Sequence, residues 1–220
     1  VRIMNSRGGQ AKYRKSFFSL GIEGSLINGT DMLFVGESAS SCHPILESRA
    51  VAEAVLWQLE LAKNRTSVPS KSLPVVFTPN GVASALILPL MVAFNGKIVL
   101  EGASPIGNKP GQTVFDPKLW LRDDPTIVYR PSSRPCDDEG VPSQRTPLIE
   151  AGIVANFLYD LQTAALAHTH STGNGSRSHG LPAPAPSAFI IAPGNTTFAE
   201  MVQDIKEGLV IEQLMGAEQG

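Results

Sequence analysis

The sequence predicts an α+β fold, with mixed, largely antiparallel sheets and packed helices. Short apolar and β-branched runs alternate with Gly and Pro turns, and Asn28-Gly29 is a dipeptide typical of a two-residue hairpin. Residues 44–63 instead repeat their apolar side chains with the helical period. Because helices and strands follow one another irregularly, this pattern favours α+β over a doubly wound parallel sheet.

The first third of the chain predicts strands followed by one helix. The strand candidates cover residues 1–8, 17–27 and 31–35. In residues 44–63, Val51, Val55 and Leu59 recur on one face, and Pro44 suits a first helical turn. We expect this helix to pack on a sheet. The polar stretch 64–72, which contains Pro69, then predicts a linker.

Beyond the linker the pattern predicts further short elements. Ala151-Gly152 marks a hairpin turn, Thr196 or Thr197 is a suitable N-cap, and residues 171–186 are rich in Gly, Ser and Pro. The expected strands are 73–77, 97–100, 118–121, 146–150, 153–159, 188–192 and 209–214, and the expected helices are 81–94, 161–167 and 198–206.

The helix predicted over residues 81–94 is apolar on every side and carries no titratable side chain. A helix that is apolar all round is normally buried, so we expect it inside the core. Pro89 should kink or break it, because proline lacks the backbone donor that a helix interior uses.

Composition excludes several function classes. The chain has 220 residues and a formal net charge of -2, with both signs mixed along it, so it has no electrostatic footprint for nucleic acid. The longest apolar run, residues 82–94, is too short to span a bilayer. Two distant cysteines and no apolar signal segment fit a reducing cytoplasm.

Two acidic clusters and one glycine turn are the main polar candidates. The clusters contain Asp123, Asp124, Asp137, Asp138 and Glu139. They could bind a hard cation or supply an acid/base pair, but Asp side chains before glycine are also ordinary turn formers. The turn Thr172-Gly173-Asn174 could cradle a peptide carbonyl, although no helix follows it directly to favour a phosphate loop.

Several blocks in sequence order resemble the PmbA/TldD family, whose members were described as modulators of DNA gyrase. The blocks are Asp137-Asp138-Glu139-Gly140, Arg145-Thr146, the hairpin 147–159 and Thr172-Gly173-Asn174. The resemblance implies that Asp137, Asp138, Glu139, Gly140, Arg145, Thr172, Gly173 and Asn174 contact a peptide or a partner subunit. It also implies a partial chain, with residues 1–66 from a central domain, 67–73 a linker and 74–220 the first part of a third domain.

The resemblance also points to one side of the family. TldD proteases carry a His-Glu-x-x-x-His zinc motif on the helix that corresponds to residues 81–94, and this chain has neither His nor Glu there. It therefore resembles the PmbA (TldE-like) subunit, with no catalytic residue, metal site or cofactor of its own, and with zinc in a TldD-like partner. The resemblance implies a prokaryotic, cytoplasmic protein that acts on peptides as a dimer with such a partner or with itself.

Other chemistries find weaker support. His168 and His170 are one residue apart and lack a nearby carboxylate, and His179 lies in a Gly/Ser/Pro loop. Cys42 and His43 are adjacent, whereas a catalytic pair meets in space and not along the chain. Two alternatives stay open: an active metalloprotease whose metal residues lie outside this segment, and a homodimeric peptide-binding or scaffold protein.

Overall fold

The computed structural model of the protein describes residues 1–6, 8–177 and 180–214. The chain forms two compact units. The first unit consists of Val1, Tyr13–Lys71 and Ile127–Pro131, and the second of Arg2–Lys12, Ser72–Thr126 and Ser132–Gly220. The main division, between Lys71 and Ser72, therefore falls within the predicted linker 64–72. Two short segments are exceptions, because Arg2–Lys12 belongs to the second unit and Ile127–Pro131 to the first. The assignment of the two parts to family domains stays a prediction.

The first unit is a long hairpin covered by one helix. Strands β3 (Phe18–Asn28) and β4 (Asp31–Ser41) pair antiparallel along their whole length, and Gly29 adopts the positive φ of 63° that the tight turn requires. The hairpin prediction is confirmed, but β4 extends six residues beyond the predicted end at residue 35, because pairing with β3 stabilises a Gly- and Ser-rich stretch of low strand propensity.

Helix α1 (Arg49–Ala62) buries Val51 and Val55 against this hairpin. A Cβ at position 24 of β3 would lie 3.0 Å from Leu59 Cδ1, so Gly24 lets the helix approach closely. The predicted start of the helix near Pro44 is wrong. Leu46 is 94% exposed, so an additional N-terminal turn would gain no buried contact to offset its ordering cost.

In its described residues, the second unit contains four small sheets and five short helices. Its strands are β1 (Arg2–Met4), β2 (Gln10–Lys12), β5 (Val75–Phe77), β6 (Leu121–Asp123), β7 (Thr146–Glu150), β8 (Ile153–Val154), β9 (Gly175–Ser176), β10 (Ala183–Pro184), β11 (Phe189–Ile191) and β12 (Leu209–Ile211). The largest sheet has the order β11-β6-β7-β8 and is antiparallel throughout. Strands β1 and β2 pair antiparallel, as do β9 and β10, whereas β5 and β12 are parallel. The α+β prediction is confirmed.

The core of the second unit lies against the four-stranded sheet. Phe94, Leu148 and Leu158 have no exposed surface, and the rings of Phe94 and Phe157 are 6.0 Å apart. The predicted hairpin of β7 and β8 is present and supplies the centre of this core, although β8 covers two residues instead of the predicted seven. Residues after Val154 leave the sheet, and Leu158 pairs instead with Asn95 in an isolated bridge.

The helices of the second unit are α2 (Pro79–Ala85), α3 (Ile87–Ala93), α4 (Gly96–Leu100), α5 (Leu161–Leu166) and α6 (Phe198–Gln203). Helices α2 and α3 replace the single predicted helix over 81–94. The break falls at Leu86, and Pro89 lies in the first turn of α3, where its missing N–H is not needed. The expectation of full burial is wrong, because Leu88 is 52% and Val92 40% exposed.

The strand predicted over residues 97–100 is helix α4. The side chain of Asn95 accepts hydrogen bonds from the backbone N–H groups of Lys97 and Ile98, so a local N-cap overrides the β-branched composition. The strand expected over residues 118–121 is displaced to β6, whose pairing with β7 determines its position. Among the residues that the structure describes, no helix has the length and apolar character needed to cross a bilayer.

Candidate functional site

The acidic turn is organised by the buried carboxylate of Asp137. Its Oδ1 accepts hydrogen bonds from the backbone N–H groups of Glu139 (3.0 Å) and Val141 (2.9 Å), and its Oδ2 accepts one from Gly175 (2.8 Å). Gly140 completes the turn with a positive φ of 83°. Asp137 thus shapes the turn and ties it to the strand that follows the Thr-Gly-Asn segment.

The glycine turn Thr172-Gly173-Asn174 lies against the acidic turn. Gly173 has a φ of 71°, and a Cβ there would lie 2.6 Å from the carbonyl oxygen of Pro142. Thr172 Oγ1 accepts a hydrogen bond from the backbone N–H of Tyr159 (2.8 Å). Position 173 therefore requires glycine, because both the positive φ and the close carbonyl oxygen exclude a side chain. The absence of a side chain allows the two turns to stay in contact.

Asn174 and Asp123 form a second buried link, 1% and 0% exposed. Asn174 Nδ2 donates to Asp123 Oδ2 (2.6 Å), while Asp123 Oδ1 accepts from the backbone N–H groups of Ser187 (2.8 Å) and Ala188 (2.6 Å). The Asp123 carboxylate therefore joins β6 to both the glycine turn and the segment before β11. A buried carboxylate with three donors is well compensated for the water it loses.

Asp124, the neighbouring carboxylate, is held by local partners. Its Oδ1 accepts from the N–H and Oγ1 of Thr126, and its Oδ2 accepts from Arg122 Nε at 3.4 Å. Burial opposes ionisation, but the hydrogen bonds from Thr126 and the charge of Arg122 outweigh it and lower the pKa of the carboxyl. Within residues 1–6, 8–177 and 180–214, no cluster of three His, Cys, Asp or Glu side chains could hold a metal ion.

The remaining acids of the turn, Asp138 and Glu139, are more accessible. Asp138 Oδ2 accepts from the N–H of Arg177 (2.9 Å), and Glu139 Oε2 accepts from the N–H of Leu161 (2.7 Å), the first residue of α5. Burial raises the pKa of Glu139, and the negative charges of Asp160 and Asp137 add to that shift. Glu139 is thus a half-buried acid between two buried carboxylates.

The raised pKa of Glu139 predicts a pH-dependent effect of Glu139→Gln. The folded state binds the Glu139 proton more tightly than the unfolded chain, so the associated stability is present at low pH and lost as pH rises through the folded pKa. Gln retains an acceptor for Leu161 N–H but cannot ionise. We expect the free energy of unfolding of the variant to improve relative to wild type between about pH 4 and pH 7, measured by urea denaturation.

The matched control is Glu150→Gln, which makes the same exchange at an exposed position of β7. If Glu139→Gln changed stability equally at both pH values, the assignment of a raised pKa to Glu139 would be wrong.

Arg145 lies apart from this network. It is exposed and lines a groove with a volume of about 180 Å³ on the four-stranded sheet, together with side chains that the sequence reasoning missed. The other lining residues are Trp120, Leu121, Arg122, Pro147, Ile149 and Glu150. Their proximity depends on the pairing of β6 with β7, which no motif in the sequence reveals.

Cys42 and His43, the Cys and His candidates of the first unit, each contact a different residue. Cys42 Sγ donates to the carbonyl of Arg130 (3.3 Å). The rings of His43 and Tyr129 pack in a tilted arrangement, with their centroids 4.6 Å apart. Cys42 and His43 thus have separate partners, and no nucleophile pair is formed between them.

In the second unit, His168 and His170 are exposed, and Cys136 is buried with its thiol pKa raised by that burial. A raised thiol pKa reduces the thiolate fraction, so the buried Cys136 acts as a small apolar packing residue. His179 lies outside the described residues.

Comparison with known proteins identifies the family. A family model described as the PmbA/TldA metallopeptidase C-terminal domain matches residues 70–220, which is more than half of the chain. The chain belongs to the PmbA/TldD family. The match includes the acidic turn, Arg145 and the glycine turn, so these features lie within the part of the chain that carries the family signature.

Relatives in this family carry both of its names. The chain is 24% identical over 219 residues to a metalloprotease PmbA homolog of Haemophilus influenzae, covering 96% of this chain and 46% of the relative. It is 29% identical over 170 residues to a metalloprotease TldD homolog of the same organism, covering 76% of this chain and 35% of the relative. Sequence identity alone therefore does not distinguish the two branches.

The fold agrees with that of a solved family structure. TldE from Thermococcus kodakarensis superposes with a TM-score of 0.83 at 24% identity, covering 96% of this chain and 48% of that one. At this identity the similarity establishes the fold alone. The chain spans half or less of the length of the curated relatives that it matches.

Proposed function

We propose that this protein is a non-catalytic, PmbA/TldE-like subunit that pairs with a TldD-like zinc metalloprotease to process peptides and unfolded proteins in a prokaryotic cytoplasm. The supporting observation is the composition of helices α2 and α3. Their side chains contain no His, Cys, Asp or Glu, whereas the resemblance implies that a zinc-bearing member has His-Glu-x-x-x-His at this place. A zinc site needs such ligands and cannot be built from aliphatic side chains.

Helices α2 and α3 present mostly apolar side chains where the resemblance places the zinc motif of TldD. Thr78 caps α2 by accepting from Gly81 N–H, and the only other polar side chains on the two helices are Asn80 and Ser84. Leu88 and Val92 are among the exposed side chains of α3. Such an apolar surface can pack against protein but cannot activate a water molecule.

A subunit without a metal site can still contribute to a peptide cleft. Among the described strands, β3 and β4 pair only with each other, so each offers an outer edge of eleven residues. Extended peptides add to such edges through main-chain hydrogen bonds. The exposed Asp138, and Arg145 on the sheet, are then available for contacts to a substrate or to the partner.

The proposal predicts that peptide hydrolysis requires both subunits. Full-length protein containing this chain, incubated alone with a flexible fluorogenic peptide, should release no product, because the described residues contain no cluster that could hold a metal ion to activate water. Addition of a TldD-like partner should produce cleavage that a metal chelator abolishes. Product release measured by fluorescence and verified by mass spectrometry is the readout.

Two controls separate the alternatives. A partner with Gln in place of the Glu of its zinc motif should stay inactive in the pair, which assigns turnover to that subunit. Chelator-sensitive hydrolysis by the partner-free protein would contradict the proposal and favour an active metalloprotease with ligands outside this segment. Equal hydrolysis by the TldD-like partner with and without this protein would favour a separate, homodimeric binding role.

A further inference from the structure

The groove that contains Arg145 is lined by residues on and beside strands β6 and β7 of the four-stranded sheet. Leu121 and Ile149 form its apolar floor and are 2% and 1% exposed. Trp120 is 46% exposed and borders the same groove. At about 180 Å³ the groove has room for one amino-acid side chain or a short terminal group, and it is smaller than a typical drug-sized pocket.

Two arginines, Arg122 and Arg145, line this groove beside an irregularity in the sheet. The register between β6 and β7 shifts between Leu121 and Arg122, so that Leu121 is opposite Ile149 while Arg122 is opposite Pro147. Leu148 of β7 is therefore the extra residue, and such a bulge disrupts the regular alternation of side chains on the strand that carries it. Arg145 lies directly before β7, and it lines the groove together with Pro147 of that strand.

The two guanidinium groups differ in their electrostatic state. Arg122 forms an ion pair with Asp124 at 3.4 Å, which offsets its charge and fixes its orientation. Arg145 makes no hydrogen bond or ion pair with another described residue. Glu150 also lines the groove, five residues further along the strand. The groove thus combines a tryptophan, an apolar floor and one cation whose charge has no partner in the described part of the chain.

We propose that this groove binds a carboxylate carried on an apolar or aromatic residue, the kind of group that ends a peptide chain. A planar guanidinium matches a carboxylate through two parallel N–H···O bonds, so Arg145 is the binding residue for the anion. Trp120 and the floor formed by Leu121 and Ile149 bind the attached side chain. Arg122, held by Asp124, acts as a positioning residue that defines one wall. The site does not depend on pairing with a protease.

The test uses N-acetyl-phenylalanine, which has a free carboxylate, and N-acetyl-phenylalanine amide, which lacks it. The chain has two tryptophans, so the indole N–H signal of Trp120 is assigned in a nitrogen-15 spectrum by comparison with Trp57→Phe. We expect the acid to shift the Trp120 signal in a saturable manner and the amide to bind at least about tenfold more weakly, which corresponds to loss of a charge-assisted pair.

Variants locate the contact. Arg145→Ala should weaken binding of the acid by about tenfold or more, and Arg145→Lys should give an intermediate value, because lysine keeps the charge but loses the bidentate geometry. Arg14→Ala removes the same charge from an exposed position in the other unit and should leave binding unchanged. Circular dichroism establishes that each variant is folded.

A further ligand distinguishes the two sources of a carboxylate. N-acetyl-Phe-Asp-amide presents only an acidic side chain, so preference for N-acetyl-phenylalanine would identify a terminal carboxylate and the reverse an acidic residue. Either preference supports the site. Equal binding of the acid and the amide, an unchanged affinity in Arg145→Ala, or no shift of Trp120 with any ligand would overturn it.

Discussion

Alanine in place of Asp137 is expected to destabilise the protein by about 3–5 kcal/mol, which is more than we expect for alanine in place of the neighbouring Asp138. The carboxylate has no exposed surface and accepts three backbone hydrogen bonds, from Glu139, Val141 and Gly175. Alanine would leave these buried N–H donors without an acceptor, and each such loss costs about 1–3 kcal/mol. Urea denaturation followed by circular dichroism measures the change.

Asp138→Ala is the matched control, because it makes the same exchange at the next, exposed residue. Asp138 accepts one hydrogen bond, from the N–H of Arg177, which water can replace. We expect it to cost about 1 kcal/mol or less. Asp137→Asn should lie between the two alanine variants, because the amide keeps one acceptor oxygen. Similar losses for Asp137→Ala and Asp138→Ala would show that the buried carboxylate does not organise the turn.

Leu148→Ala is expected to cost about 3–5 kcal/mol of unfolding free energy. Leu148 is fully buried on β7, the strand that pairs with both β6 and β8, and it belongs to the same core as Phe94, Val154 and Leu158. Truncation removes apolar contacts and leaves a cavity that neighbours on a paired strand cannot easily fill. The denaturation midpoint should fall with little change in the urea dependence.

Leu166→Ala provides the comparison, since Leu166 lies on α5 and is 62% exposed. The same chemical change there should cost about 1 kcal/mol or less, because little surface is buried and alanine has high helix propensity. A loss at Leu148 no larger than that at Leu166 would contradict the placement of β7 at the centre of the core.

Local signals explain how much of the fold the sequence predicts. The dipeptide Ala151-Gly152 predicts the hairpin of β7 and β8, and Gly152 has the positive φ of 78° that such a turn uses. Helix α6 begins after Thr197, which forms a capping box with Glu200, a pattern readable from residue spacing. Both features depend on residues within one turn of each other, so no knowledge of distant contacts is needed.

Elements that depend on distant contacts are harder to predict. Residues 97–100 have strand-like composition, but the side chain of Asn95 caps a helix there, and Asn95 also donates to the carbonyl of Pro184, 89 residues away. Helix α3 is apolar all round, yet Leu88 stays exposed, because the pattern tells how much apolar surface a helix has and not what is available to cover it.

The candidate site shows the same division. The sequence indicated the acidic turn and the glycine turn, because Asp, Gly and Asn have recognisable turn chemistry. It did not show that Asp123 and Asn174, 51 residues apart, share a hydrogen bond, or that Trp120 and Arg145 line one groove. Peptide and partner contacts of the predicted site residues stay predictions, and within the structure Asp137 and Asn174 direct their hydrogen bonds inward.

The division of the chain into units has a consequence for synthesis on the ribosome. Residues Ile127–Pro131 belong to the first unit, where Lys15 contacts the carbonyl of Pro131 across 116 residues of sequence. Domains of a nascent chain ordinarily fold in order from the N-terminus. Here the first unit cannot be completed until more than half of the chain has emerged. We therefore expect translation pauses before residue 131 to leave Cys42 and His43 without the contacts that they make with Arg130 and Tyr129 in the completed unit.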